Sequence, residues 1–291
     1  MKLTGCSLIL SAIGTVLITL LCGLLNSIKD IWIPLVIFVG IFIGIIGLVV
    51  LSWIPFALAV NTKEPIKKPS KFYYFLYDMA VDLFVFWSGA KVIINDNGIK
   101  LGEGPYFFTV NHRSKFDTMI LNVIYKKQKI RFVAKTENFK IPIVGPVIYK
   151  SGFLQLKRDD NREALKTVLK AVEYLKNKEF SVGLCPEGTR NQQGRWILPF
   201  RSGCFKIPMR ANVPIVVTTL DGTEKISKNF PFKRTKVYLD VLKVIEPSEY
   251  ASKTATEVGV EVRSMMVENL KKYGVEEKRF ENDGDDLNQV A

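Results

Sequence analysis

The stretch FFTVNHRSKFDTMILNVIY, Phe107 to Tyr125, decides how the chain folds. Its opening residues read as a buried strand, Tyr106 to Val110, because an apolar and β-branched run stops at a polar corner. Ser114 is placed to cap a helix, and Asp117 falls in that helix's first turns. His112, the only histidine in 291 residues, therefore sits on a strand-to-helix corner with Asp117 five positions on. Open α/β folds bind ligands at the carboxyl ends of their strands. A histidine there can meet a substrate, and Asp117 can accept its Nδ1 proton, fix the tautomer and stabilise the imidazolium.

Outward from this corner, strand-like runs at Ile130–Ala134, Phe180–Leu184, Val213–Leu220 and Lys236–Ile245 alternate with helical patterns. Alternation of this kind predicts an α/β layer fold, a mixed β-sheet flanked by helices. The clearest helix is NREALKTVLKAVEYLKNK, whose Ala164, Leu165, Val168, Leu169, Val172 and Leu175 make an apolar stripe, with Asp160 and Glu163 as a capping arrangement. KVIIND, the turn pair Asn97 and Gly98, and IKL suit a hairpin. Thr254 to Tyr273 reads as a last helix.

The first sixty residues pose a different problem. Leu3 to Ile28 and Ile31 to Thr62 carry no charge over 26 and 32 residues, each more than the roughly 20 apolar residues that span a bilayer. They read as a retained two-helix membrane anchor joined by a turn around Asn26 to Asp30, since a cleaved signal would have a basic leader and a shorter apolar core. Ser7 and Ser11 give the first helix a small face, Gly40 and Gly44 do so for the second, and Pro55 should end or kink the latter. Lys63, Lys67, Lys68 and Lys71 follow the second helix against Lys29 alone in the turn, so the large C-terminal part is expected on the cytoplasmic side of the cell membrane. Lys71 to Gly89, aromatic and too polar to span, reads as an amphipathic helix at the lipid interface. The expected organisation is an anchor over 1–62, an interfacial linker over 63–90, an α/β domain over 91–274 and a disordered acidic tail over 275–291.

The net charge is +13, and residues 275–291 hold six acidic and two basic side chains, so the rest of the chain carries +17. In an anchored chain this points to anionic membrane lipid or an acidic partner and away from nucleic acid. Cys6, Cys22, Cys185 and Cys204 have neither a disulfide framework nor metal-ligand spacing, so no metal site is indicated.

The pair His112 and Asp117 is weak alone, and GLCPEGTR, Gly183 to Arg190, strengthens it. A strand leads to a loop in which Gly188 admits close backbone approach, Thr189 offers a hydroxyl and Arg190 a planar fork suited to phosphate. Together these segments, from about Lys91 to Leu220, resemble the glycerolipid acyltransferases, specifically the membrane-bound 1-acylglycerol-3-phosphate acyltransferases. The family's N-H-x-S-x-x-D block is complete as Asn111, His112, Ser114 and Asp117. Its other blocks appear as GFLQLKR, CPEGTRN and VPIVV, with Gln155, Cys185 and Asn191 departing at flanking positions, and AKTENF is similar to its A-K-x-E-L element.

The resemblance implies that His112 is the general base that takes a proton from the sn-2 hydroxyl of lysophosphatidic acid, with Asp117 orienting it. Imidazole suits this role because it ordinarily titrates near neutrality. It further implies Arg158, Arg190 and Lys135 as phosphate candidates, and Glu187, Gly188 and Thr189 as residues that shape the loop or hold the glycerol. Pro214 is expected to shape the sheet near the acyl site, and Cys185 to pack rather than attack. No cofactor or metal is implied; an acyl carrier protein or coenzyme A thioester is the co-substrate. Alternatives are a related enzyme acting on glycerol-3-phosphate or a lyso-aminolipid, and a catalytically silent lipid-binding homologue.

Overall fold

The computed structural model describes residues 2–24, 30, 32–62, 68–192 and 196–273. Most of the expected turn around Asn26 to Asp30, together with Lys63, Lys67 and the acidic tail, lies outside them. In chain order the elements are α1 (Lys2–Leu21), α2 (Trp32–Leu58), α3 (Lys71–Trp87), β1 (Ala90–Asn95), β2 (Phe107–Val110), α4 (Phe116–Ile124), β3 (Ile130–Lys135), α5 (Val144–Lys150), β4 (Leu154–Leu156), α6 (Asn161–Lys176), β5 (Ser181–Leu184), α7 (Lys206–Ala211), β6 (Ile215–Asp221), α8 (Ile226–Asn229), β7 (Thr235–Ile245), α9 (Pro247–Tyr250) and α10 (Ala255–Lys271). They fall into two compact units, Met1–Leu83 with Lys140–Ser151, and Phe84–Phe139 with Gly152–Ala291.

In the first unit α1 packs on α2 through small and hydroxyl residues. Ser7, Ser11, Thr15 and Thr19, four apart, are buried, and a Cβ on Gly14 would come within 3.2 Å of Ile41. The hydroxyls of Ser11 and Thr15 donate back to the carbonyls of Ser7 and Ser11, each at 2.7 Å, so these two bring no unpaired donor into the contact. The glycines of α2 do not take part: a Cβ on Gly40 or Gly44 would meet nothing within 4 Å. Among the described residues α2 alone is long and apolar enough to cross a membrane, while the apolar part of α1, Gly5–Leu21, is shorter. Pro55 lies inside the last turn of α2 rather than beyond its end, where only one intrahelical bond is lost. Tyr73 of α3 donates to the carbonyl of Phe56 at 2.9 Å.

The second unit is a seven-stranded sheet in the order β1-β7-β6-β2-β5-β3-β4, parallel except between β6 and β7. Its central strands are covered on both faces, as parallel strands require: all four residues of β2 and all seven of β6 are buried. One face carries Phe107, Val182, Ile215 and Val217 against Leu175 of α6, Phe205, and Val258, Val262 and Met266 of α10. Phe108 faces the other way and meets the ring of Tyr125, at the end of α4, at 5.2 Å. Gly183 in β5 is required by packing, since a Cβ there would sit 2.5 Å from the ring of Phe132.

Two local expectations give way to tertiary contacts. Asn97 and Gly98 do form a left-handed turn, with φ of 50° and 76°, yet the chain does not return as a hairpin. β1 pairs instead in parallel with β7, from Ala90↔Thr235 to Asn95↔Asp240. Asn97 Nδ2 donates to the carbonyl of Val241 at 2.8 Å, which fixes the turn against β7. At α4, the N-cap residue Lys115 makes no side-chain cap bond, and Ser114 Oγ accepts only from Phe116 N at 3.3 Å. The free amides before the helix are bound by Asp117.

Candidate active site

β2 ends at Val110, and Asn111 holds the corner that follows. Its side chain is fully buried, donates to the Leu220 carbonyl at 2.9 Å and accepts from Leu220 N at 2.7 Å. This two-point bond ties the corner to β6. His112 is fixed from the other side, because its N–H donates to Glu187 Oε1 at 2.6 Å and its carbonyl accepts from Asn191 N at 2.7 Å. Bonds to β6 through Asn111 and to the loop after β5 through the His112 backbone thus place the imidazole before its own side chain makes any contact.

His112 Nδ1 lies 3.0 Å from Asp117 Oδ2, with side chains 23% and 0% exposed. The same oxygen accepts from Arg113 N and Ser114 N, both at 2.7 Å, and Oδ1 accepts from Thr223 Oγ1 at 2.5 Å. Four donors on one buried side chain suit an acceptor-only carboxylate. With Nδ1–H turned to Asp117, Nε2 carries the lone pair and can take a proton from a hydroxyl. Arg113 adds a buried ion pair to Asp221 at 2.7 Å, which holds the end of β6 to this corner. Neither Thr223 nor Asp221 carries a signal in the sequence, since each lies more than a hundred residues from its partner and in no motif.

Glu187 is a cross-brace. Its two oxygens accept from His112 N at 2.6 Å and Leu198 N at 2.8 Å, and burial pushes its carboxyl up to about 7 against the pull of those amides. A carboxyl raised on folding contributes stability below its ordinary value of 4.5 that is lost as pH rises through about 7. Glu187→Gln turns one acceptor into a donor facing a backbone N–H. We expect it to cost about 1–3 kcal/mol and to flatten the melting temperature between pH 4.5 and 7, the window its raised carboxyl sets. Thermal unfolding in detergent across that range checks both; an unchanged curve would show that Glu187 braces nothing.

The remaining candidates share the end of the sheet that carries His112. The strands β2, β5, β3 and β4 are consecutive and parallel, so His112, Glu187 to Arg190, Lys135 and Arg158 all follow or end strands at their carboxyl side. Lys135, opposite Leu156, is exposed, as are Thr189 and Arg190. Arg158 Nη2 donates to the carbonyl of Gly188. Gly188 has φ of +69°, and a Cβ there would lie 3.0 Å from Arg201 Nε and 3.1 Å from Arg158 Nη2. Two guanidinium groups therefore flank the loop, and burial together with the charge of Arg201 lowers the pKa of Arg158. Arg201 carries no signal in the sequence, because it lies in LPFRSG, outside every motif. Pro214 belongs elsewhere: its carbonyl accepts from Phe107 N at 2.9 Å, at the opposite end of β2 from His112. The Cys185 thiol is pushed well above its ordinary range by burial, and further by Asp117 and Glu187, which makes it a poor nucleophile.

This geometry coincides with a recognised domain: the acyltransferase family model matches residues 89–220. The chain is 32% identical over 156 residues to 1-acyl-sn-glycerol-3-phosphate acyltransferase BAT2, chloroplastic, of Brassica napus, covering 54% of this chain and 44% of that one. It is 29% identical over 187 residues to the Saccharomyces cerevisiae 1-acyl-sn-glycerol-3-phosphate acyltransferase, covering 63% and 60%. The chain thus spans about half the length of these curated relatives, 44% and 60%. The fold is similar to that of the 1-acyl-sn-glycerophosphate acyltransferase PlsC from Thermotoga maritima, with TM-score 0.56, 20% identity, and coverage of 71% of this chain and 81% of that one.

Proposed function

We propose that this protein is an O-acyltransferase that moves a fatty acyl group from a thioester to the sn-2 hydroxyl of 1-acylglycerol-3-phosphate, giving phosphatidic acid. The observation that carries the reading is His112 held at 3.0 Å by Asp117, at the same strand ends as Lys135, Arg158 and Arg190. The names of the plant and yeast relatives support the choice of acceptor. His112 Nε2 takes the proton as the hydroxyl oxygen bonds to the thioester carbonyl carbon. Collapse of the tetrahedral adduct breaks the carbon–sulfur bond, and the imidazolium returns the proton to the departing thiolate. Asp117 stabilises the imidazolium in between. The thioester is already activated, so this route uses neither cofactor nor covalent enzyme intermediate; acyl carrier protein or acyl coenzyme A supplies it.

Arg158, Arg190 and Lys135 bind the acceptor's phosphate in this reading, while Glu187, Gly188 and Thr189 shape the loop. The test is a donor-by-acceptor matrix on purified protein in detergent, with products identified by mass spectrometry. Phosphatidic acid from lysophosphatidic acid is the expected product, and preference for glycerol-3-phosphate would overturn the acceptor. Arg190→Lys keeps the charge and loses the planar fork. It should lower kcat/KM for lysophosphatidic acid by about tenfold or more and leave the thioester KM nearly unmoved. A lysolipid without a terminal phosphate should be far less affected; equal losses on both acceptors would remove Arg190 from the phosphate site.

The α1–α2 pair anchors the protein in the cell membrane in this reading, with the acyltransferase domain on the cytoplasmic side. Full-length protein should stay with membranes through high-salt and alkaline washes. Its release would overturn the anchor.

A further inference from the structure

A second apolar surface lies between β6 and β7. Phe232 is 97% exposed and Phe230 49%, although the loop that carries them is firmly built. Ile226 beneath it is buried, Phe230 N donates to the Ile226 carbonyl at 3.0 Å, Lys233 N donates to Asn229 O at 2.8 Å, and Asn229 Nδ2 donates to Thr235 Oγ1 at 2.8 Å. The phenyl ring is thus held out in water by a pinned backbone. The end of α3 lies beside it: Thr235 N donates to Gly89 O at 3.1 Å, and a Cβ on Gly89 would lie 3.7 Å from Arg234 Cα. That end exposes Phe84, Phe86 and Trp87, so the aromatics form a group rather than scattered singles.

Charge names the occupant. Lys225 to Lys236 holds five basic residues, Lys225, Lys228, Lys233, Arg234 and Lys236, and no acid, and all five are exposed. An aromatic tip within a cationic collar matches a bilayer surface, where rings enter the acyl boundary and long cationic side chains reach anionic headgroups.

Topology gives the position. β6 runs parallel to β2, β7 antiparallel to β6, and β1 parallel to β7. The β6–β7 segment and the end of α3 therefore lie at the end of the sheet that carries His112, and Thr223 of the same segment bonds Asp117.

We infer that the Phe230–Phe232 loop, with the exposed end of α3, is a membrane-docking surface selective for anionic phospholipid, which sets the His112 end of the sheet against the bilayer. The inference stands on this surface and not on the acyl-transfer reading. Its test is F232W in the full-length chain, reconstituted in nanodiscs of phosphatidylcholine alone or mixed with phosphatidylglycerol, some carrying brominated acyl chains. Four native tryptophans emit as well, so the parent protein is subtracted. The added tryptophan should shift to the blue and be quenched about twofold or more in the phosphatidylglycerol discs. K233E/R234E in the same background should remove most of that quenching. No blue shift or quenching in either lipid would overturn the proposal, as would quenching indifferent to phosphatidylglycerol and to the charge reversals. A response to soluble single-stranded DNA or heparin in place of the bilayer would overturn it in favour of a macromolecular polyanion. The readout is optical, so loss of acyl transfer leaves the result interpretable, and failure of docking leaves the proposed chemistry standing.

Discussion

Replacing His112 by alanine is expected to cut turnover by about 10²- to 10⁴-fold, the usual contribution of a positioned general base. The chain has no second histidine to take over. The substitution is also clean, because the contacts that build the corner belong to the His112 backbone: its N–H on Glu187 and its carbonyl on Asn191 survive the change. Asp117 keeps the amides of Arg113 and Ser114 and the hydroxyl of Thr223. Melting temperature in detergent should therefore move little while thiol release from the acyl donor collapses. Turnover near that of the parent protein would sink the general-base assignment, whatever the fold does.

Asp117→Asn should cost on the order of 10²-fold or more, by removing the charge that supports the imidazolium. Here too geometry separates chemistry from folding. The new amide oxygen can occupy the place of Oδ2 and accept from His112, Arg113 and Ser114. The amide nitrogen then faces Thr223 Oγ1, which can accept as readily as donate. The variant should fold with its ligand-free melting temperature nearly unchanged. Asp117→Ala is the contrast, since it strands two backbone amides at a cost of about 1–3 kcal/mol each, and it should lose stability as well as activity. If Asp117→Asn retains full turnover, Asp117 serves only to close the corner before α4.

Much of this was legible from local pattern. The strand at Phe107–Val110 followed by α4, the helix beginning at Asp160, and α10 with Thr254 as its cap all depend on residues within a few positions of one another. Asp160 accepts from the amides of Arg162 and Glu163, as a capping residue should. Period and cap chemistry fail where a local preference has a distant competitor. Asn97 and Gly98 make the turn that a hairpin needs, but the eleven-residue β7 offers β1 a six-residue parallel register and a side-chain bond from Asn97. The stripe on α6 is also only half used: Val172 and Leu175 are buried, whereas Leu165 and Leu169 are about half exposed. Apolar spacing says which face could pack, and only the neighbours decide how much of it does.

By itself the sequence placed His112 and Asp117 at a strand-to-helix corner of an α/β domain, because the apolar run ends at Val110 and a helical pattern follows within a few residues. It also determined that a loop bearing Glu187, Gly188 and Arg190 would follow another strand. Only the tertiary structure decided that β5 lies beside β2. That adjacency makes Glu187 a brace under His112, and burial there raises its carboxyl to about 7. The tertiary structure likewise supplied Thr223 to Asp117, paired Arg113 with Asp221, and set Arg201 beside Arg158 at Gly188. The physical reason is common to all of these. Hydrogen-bond periodicity and capping act over one or two turns of chain, whereas a buried charge or donor is satisfied by whichever group the strand order brings within about 3 Å, and strand order depends on how the faces of the whole sheet are covered.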